Sequence, residues 1–175
     1  MTEPEAADQV RACERIYEGR VINLRRDTVA LPDGSSACRE VVEHRGAVAI
    51  VPVFDDGEVL LVKQYRHAVG EWLLETPAGT LEPGEEPERC AARELQEETG
   101  YTARSFQHLL SVYVSPGYSN EMVQIFLAEG LTAGTAHPET DERIQVCRMP
   151  LSDAVAMACD GRIRDAKTVI ALLFV

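Results

Sequence analysis

Residues 79–101 read GTLEPGEEPERCAARELQEETGY, a stretch that fixes a turn, a helix start, a helix stop and a set of carboxylates at once. Pro83-Gly84 is a turn dipeptide. Pro87 suits the first position of a helix, because its missing N–H is one of the donors that a helix start leaves unpaired. Glu85, Glu86 and Glu88 gather where the positive end of the helix dipole lies. The spacing predicts a helix over 87–99, stopped by Gly100 in a left-handed cap. Glu94 and Glu98 are four apart and Glu97 lies one residue off the same line, so three carboxylates share one face while Ala91 and Leu95 fall elsewhere. Surface helices more often alternate Glu with Lys, so the pattern predicts an uncompensated acidic face that needs a cation. All-oxygen ligation is what Mg²⁺ or Mn²⁺ prefers. Arg93, four before Glu97, is placed to hold that carboxylate; a merely solvated acidic helix is the bland alternative.

Composition narrows the partners. The chain has 175 residues and is 45% hydrophobic, enough for one substantial core behind an N-terminal extension. Its net charge of −12 argues against nucleic acid or an anionic membrane surface, both of which need a cationic footprint. Seven Glu against two Arg in residues 79–101 make the acidity partly a property of the candidate site. Cys13, Cys38, Cys90, Cys147 and Cys159 are odd in number and lack the close pairs of a zinc site, which suits free thiols in a cytoplasmic protein. The start of the chain is acidic and polar with no apolar signal core, and no run reaches the length of a membrane span.

Along the chain, residues 1–12 read as a loose acidic tail. Strands are expected at Arg15–Leu31 and Ala37–Glu43 around the Pro32-Asp33-Gly34 turn. The apolar run Ala47–Phe54 and Val59–Tyr65 flank Asp55-Asp56-Gly57, a strong hairpin signal. Further strands are expected at Phe106–Val114, Met122–Ala128 and Arg143–Met149, with helices at Leu151–Cys159 and Asp165–Phe174. Periodicity alone says mixed α and β.

Gly79, Glu85, Arg93, Glu94, Glu97, Glu98 and Gly100, with Leu95 and Tyr101 in the apolar slots, resemble the signature of the Nudix hydrolases: Gly, five residues, Glu, seven residues, Arg-Glu-apolar-x-Glu-Glu-x-Gly-apolar. A chance match in this length has odds of about one in a hundred thousand. The resemblance implies a Nudix-type α/β/α sandwich with a mixed sheet, here over residues 46–175, preceded by an N-terminal antiparallel β-hairpin region over 1–45 that serves dimerisation and substrate contacts. It also implies that Glu94, Glu98 and the carbonyl of Ala78 hold Mg²⁺, with Mn²⁺ a substitute, and that Glu97 and Arg93 belong to the catalytic set.

Substrate must be argued outside the signature. Val114-Ser115-Pro116-Gly117-Tyr118-Ser119-Asn120-Glu121 resembles the loop of ADP-ribose pyrophosphatases, against the plain reading of a Pro-Gly turn. Val62-Lys63-Gln64-Tyr65-Arg66 and Arg39-Glu40-Val41-Val42-Glu43-His44 resemble that subfamily's arginine-bearing segments. The resemblance therefore makes Arg39, Arg66, Thr80, Ser115, Pro116, Gly117 and Glu121 candidate contacts to a small-molecule nucleoside diphosphate sugar. Guanidinium forks would offset the repulsion between a pyrophosphate and a carboxylate face. For the general base, Glu-x-Ile-x-Val at Glu142–Val146 matches the subfamily's loop glutamate, so Glu142 is the candidate and Glu139 the fallback. Trp72 reads as packing before it reads as a base platform. The resemblance implies Mg²⁺-dependent hydrolysis of ADP-ribose to AMP and ribose 5-phosphate by a homodimer. The rivals are another nucleotide sugar or a dinucleotide as substrate and, from a different class, a non-catalytic ADP-ribose sensor.

Overall fold

The computed structural model describes residues 7–137 and 143–175, in two compact units. The first comprises the chain up to Arg45 together with Ser115–Glu121. Its β1 (Gln9–Glu18), β2 (Asn23–Ala30) and β3 (Ser36–Glu43) form an antiparallel meander in the order β1-β2-β3. The expected single strand Arg15–Leu31 is therefore two strands, and residues 9–12, read as tail, belong to the first. The break falls at Gly19, whose N–H donates to the Ile22 carbonyl at 3.1 Å. A Cβ there would stand 2.9 Å from the Ile22 carbonyl oxygen, a backbone atom of the turn itself, so the close approach favours glycine. Ser115–Glu121 joins this unit through β3: Val42 N–H donates to the Tyr118 carbonyl and Asn120 N–H to the Val42 carbonyl.

The second unit carries the core. β4 (Ala47–Pro52), β7 (Ala78–Thr80), β9 (Ser105–Tyr113) and β10 (Met122–Glu129) form a mixed sheet in the order β7-β4-β10-β9, with β4 and β10 parallel and the other pairs antiparallel. β5 (Glu58–Arg66), β6 (Glu71–Glu75) and β12 (Ile144–Pro150) form an antiparallel sheet in the order β12-β5-β6. The turn at Asp55-Asp56-Gly57 forms, with Gly57 N–H on the Phe54 carbonyl. The strands it joins are nevertheless not a paired hairpin; they share only the Val53–Val59 bridge and part into different sheets. β6, β7 and the short pair β8 (Tyr101–Thr102) and β11 (Thr132–Ala133) were not anticipated.

β4 explains the layering. All six residues are buried, as in a strand covered on both faces. Successive side chains point to opposite sides. Val48 and Ile50 pack with Cys90, Ala91 and Leu95 of α1 (Pro87–Thr99). Ala47, Ala49 and Val51 pack with Val59 and Leu61 of β5, Ala154 and Ala158 of α2 (Leu151–Cys159), and Ala171 and Leu172 of α3 (Ala166–Phe174). Helices thus cover both sides, an α/β/α sandwich. Each fully buried Leu or Ile contributes about 1.5–3 kcal/mol, so Ile50 and Leu95 hold α1 on β4, the strand beside β7.

Candidate active site

α1 begins at Pro87 and ends where Gly100 takes φ +77°. Its acidic face is compensated only in part, by one guanidinium. Arg93 lies across it: Nε and Nη2 each meet a Glu85 carboxylate oxygen at 2.9 Å, a bidentate clamp, and Nη1 reaches Glu94 at 2.7 Å and Glu97 at 3.0 Å. Nη2 also approaches the Thr80 carbonyl at 3.4 Å. The hydrogen bonds from Arg93 hold the Glu85 carboxyl down at about 2. The side chain the sequence assigned to Glu97 therefore bridges three carboxylates, setting one positive charge against three negative ones.

Cys90 sits beneath that guanidinium, fully buried, with Arg93 Nη2 3.3 Å from Sγ. Burial pushes its thiol up to about 12. Cys13, Cys38 and Cys159 are exposed. In native protein at pH 8, Cys90 will react with a thiol reagent about 10³-fold more slowly than an ordinary cysteine, following its thiolate fraction. Mass spectrometry of pulse-labelled protein checks this; rapid native labelling of Cys90 would contradict the buried position.

Glu98 reaches across to β7. Its side chain is buried and Oε2 accepts from the Ala78 N–H at 3.1 Å. Ile50 N–H donates to the Pro77 carbonyl, which makes Ala49 and Ala78 a pair that does not exchange hydrogen bonds. The N–H and carbonyl of Ala78 therefore both point away from β4, to the side where Glu98 lies. Gly79 completes the turn: a Cβ there would fall 1.9 Å from the Glu94 carboxyl carbon, so only glycine lets that carboxylate rest on the strand. Ala78, Glu94 and Glu98 form an all-oxygen set that fits a hard divalent cation. Among the described residues, no three His, Cys, Asp or Glu side chains are grouped to hold a metal unaided. A cation here needs backbone and substrate oxygens as well, which is how Mg²⁺ is commonly held.

Arg66 ends β5 and is anchored by a residue that sequence reasoning missed. Its Nε and Nη2 each bond Glu75 at 2.8 Å, across one face of the β5–β6 pair. Glu75 is buried and also takes Lys167 Nζ, which bonds Asp165 in turn. Burial pushes the Glu75 carboxyl up, but the Arg66 bond and the Lys167 charge outweigh it and leave it below the ordinary range. Arg66 is 40% exposed, with Nη1 outside the Glu75 clamp and the Glu98 charge nearby. The available signal was Glu75 itself, a carboxylate closing the apolar run Trp72-Leu73-Leu74, where only a paired charge can be buried. Nothing local pointed to Lys167.

The remaining candidates lie in the first unit. Arg39 stands on β3 with Nη2 3.2 Å from Asp8. The Ser115 carbonyl accepts from Tyr118 and Ser119 N–H, closing the Pro116-Gly117 turn. Glu121 lies 3.9 Å from His44 Nδ1. The structure thus groups Ala78, Thr80, Arg93, Glu94, Glu97 and Glu98 around the start of β7, with Arg66 near Glu98. Arg39 and Ser115, Pro116, Gly117 and Glu121 belong to the other unit, Arg39 on β3 and the rest in the segment hydrogen-bonded to Val42. Glu142 and Glu139 lie outside the described residues. Trp72 is 43% exposed and meets Tyr65 edge-on, on the face of β5–β6 opposite to Arg66.

The sequence matches the NUDIX domain family over residues 43–172 and the family described as nucleoside diphosphate sugar hydrolase N-terminal domain over residues 9–42. It is 43% identical over 165 residues to the ADP-ribose pyrophosphatase of Bacillus subtilis, a match spanning 93% of this chain and 89% of the relative. It is 39% identical over 163 residues to the methanol dehydrogenase activator of Bacillus methanolicus, spanning 92% and 88%. Over 146 residues it is 38% identical to the GDP-mannose pyrophosphatase of Yersinia enterocolitica, spanning 78% and 76%. The crystal structure of an ADP compounds hydrolase superposes with a TM-score of 0.86 over 99% of this chain and 94% of that one; at 23% identity the likeness speaks for the fold alone.

Proposed function

The chain belongs to the Nudix family and is a hydrolase of nucleotide-sugar pyrophosphates, and from that premise we propose that it cleaves ADP-ribose to AMP and ribose 5-phosphate with Mg²⁺. The observation that carries the catalytic reading is the complete carboxylate set: Glu85 clamps Arg93, Arg93 holds Glu94 and Glu97, and Glu98 rests on the Ala78 N–H. A binding-only sensor has no use for so ordered an array. Support for ADP-ribose comes from the Bacillus subtilis relative, whose likeness extends over both units.

Ala78, Glu94 and Glu98 would hold the cation, which when bound neutralises the pyrophosphate and makes water a stronger nucleophile. Arg66, held by Glu75, presents Nη1 to a phosphate oxygen as a preorganised donor. Arg39, Thr80, Ser115, Pro116, Gly117 and Glu121 bind the flanking groups. Glu142 takes the proton of the attacking water, with Glu139 the fallback. The proposed homodimer would use the N-terminal meander. Every residue of its edge strand β1 is exposed, including Val10, Ile16 and Tyr17, and unpaired edges of this kind invite a partner strand. Light scattering of the active protein tests that arrangement; full activity in a monomer would end it.

The GDP-mannose relative favours a second reading of substrate, so the decisive experiment is a product analysis of ADP-ribose, ADP-glucose and GDP-mannose run in parallel with Mg²⁺. AMP and ribose 5-phosphate formed fastest from ADP-ribose is the expected result. Preference for GDP-mannose would keep the hydrolase and discard the substrate. Tight binding of ADP-ribose with no cleavage of any compound would restore the sensor.

A further inference from the structure

The catalytic helix ends at Gly100, and what covers that end comes from outside the signature. Gly100 N–H donates to the Gln96 carbonyl at 2.9 Å, the single-bond form of the left-handed cap. That form leaves the Glu97 carbonyl among the acceptors that a helix C-terminus orphans. The His137 N–H supplies the missing donor at 2.9 Å. The chain arrives there through β11, which is laddered on β8 immediately after the helix. Gly134 then lies so close that a Cβ on it would stand 2.9 Å from the Gly100 carbonyl oxygen, and a Cβ on Gly100 would stand 2.7 Å from Ala136 N. Both obstacles are backbone atoms, which no side-chain rotation can move aside. Gly134 is not among the glycines with positive φ, so alanine there is opposed by contact alone and not by conformation.

We propose that residues 132–137 brace the last turn of α1, and that Gly134 is a positioning residue for the two carboxylates standing on that turn, Glu97 and Glu98. Glu97 is gripped from both ends, its carbonyl by His137 and its carboxylate by Arg93 Nη1. Glu98, one residue on, reaches the Ala78 N–H from the same turn. Lifting the brace releases the main-chain grip while leaving the Arg93 clamp in place, so the turn shifts without unfolding. A displacement of about 1 Å at reacting groups lowers rate by up to about 10²-fold. The inference rests on the reading of Glu98 as part of the catalytic set.

The test compares Gly134→Ala, which adds only the clashing methyl, His137→Pro, which deletes the N–H donor together with the imidazole and fixes φ at that position, and Glu98→Gln. Hydrogen exchange of the His137 amide in Gly134→Ala reads the brace directly, and steady-state kinetics read its effect. In Gly134→Ala the His137 amide is expected to exchange at least about tenfold faster, kcat to fall about tenfold and KM to stay within about twofold; His137→Pro reproduces the kcat loss. Faster exchange with unchanged kcat overturns the proposal, as does unchanged exchange. Global unfolding of either variant overturns it too, since the segment would then support the whole fold and not one turn. Full activity in Glu98→Gln would instead remove the reading of the catalytic set, while the exchange result still decides whether the brace exists.

Discussion

Glu98→Gln will lower kcat on the proposed substrate, ADP-ribose, by about 10³-fold while leaving the melting temperature within about 3 °C of the parent. The substitution is nearly isosteric. Glutamine retains an oxygen to accept from the Ala78 N–H, which Glu98 now meets at 3.1 Å, so the link between α1 and β7 survives. What disappears is the negative charge, in a buried position where no solvent ion can replace it. Loss of that charge weakens any cation held beside Ala78 and Glu94, and it removes the field that Arg66 feels from this carboxylate. The effect therefore falls on the chemical step and not on folding. Kinetics beside a thermal melt separate the two. A drop of more than about 10 °C would make Glu98 chiefly structural, and activity within about tenfold of the parent would shift the burden to Glu97 or to the loop glutamates.

The parts of this site that could be read in the sequence are those encoded locally. Pro87, Gly100 and the helical period between them delimit α1 without help from the rest of the chain, and β4 announces itself as an unbroken apolar run. Arg93 and Glu97 are four apart, so their contact is dictated by helix geometry. Arg93 and Glu94 are adjacent, and adjacent helix residues do not ordinarily face each other. That contact, and the partial compensation of the acidic face, come from the reach of a long guanidinium that Glu85 clamps from the preceding loop. The split of Arg15–Leu31 was hidden because a single glycine, Gly19, makes the turn inside a sequence that otherwise favours strand. β6, β8 and β11 are defined by what they pair with more than by their own residues. The Glu75–Lys167 bond joins residues 92 positions apart, and no spacing rule spans that distance.

That long-range bond leads to the largest expected change in stability. Glu75→Gln will destabilise the protein by about 3 kcal/mol, lowering the melting temperature by about 9 °C, because removing one member of a buried ion pair leaves the others uncompensated. The figure is the low end of the usual range, since Arg66 is 40% exposed and partly screened and Lys167 keeps Asp165 at 2.9 Å. Acid stability follows with a definite sign. The folded Glu75 carboxyl lies below its ordinary value of 4.5, so its contribution is complete above that pH and is lost as pH falls through the folded value. Glu85, held at about 2 by Arg93, behaves alike and loses its contribution between about pH 4.5 and 2. Replacing Glu75 removes one of these two carboxylates, so the variant starts less stable at pH 7 yet loses stability less steeply between pH 5 and 2, which denaturant midpoints across that range will measure. The same substitution frees the Arg66 guanidinium to swing, and KM for ADP-ribose is expected to rise about tenfold, the cost of one preorganised charged hydrogen bond. Parallel acid-stability curves for the two proteins would show that Glu75 is not ionised and paired as described. A normal melt with raised KM would confine its role to holding Arg66.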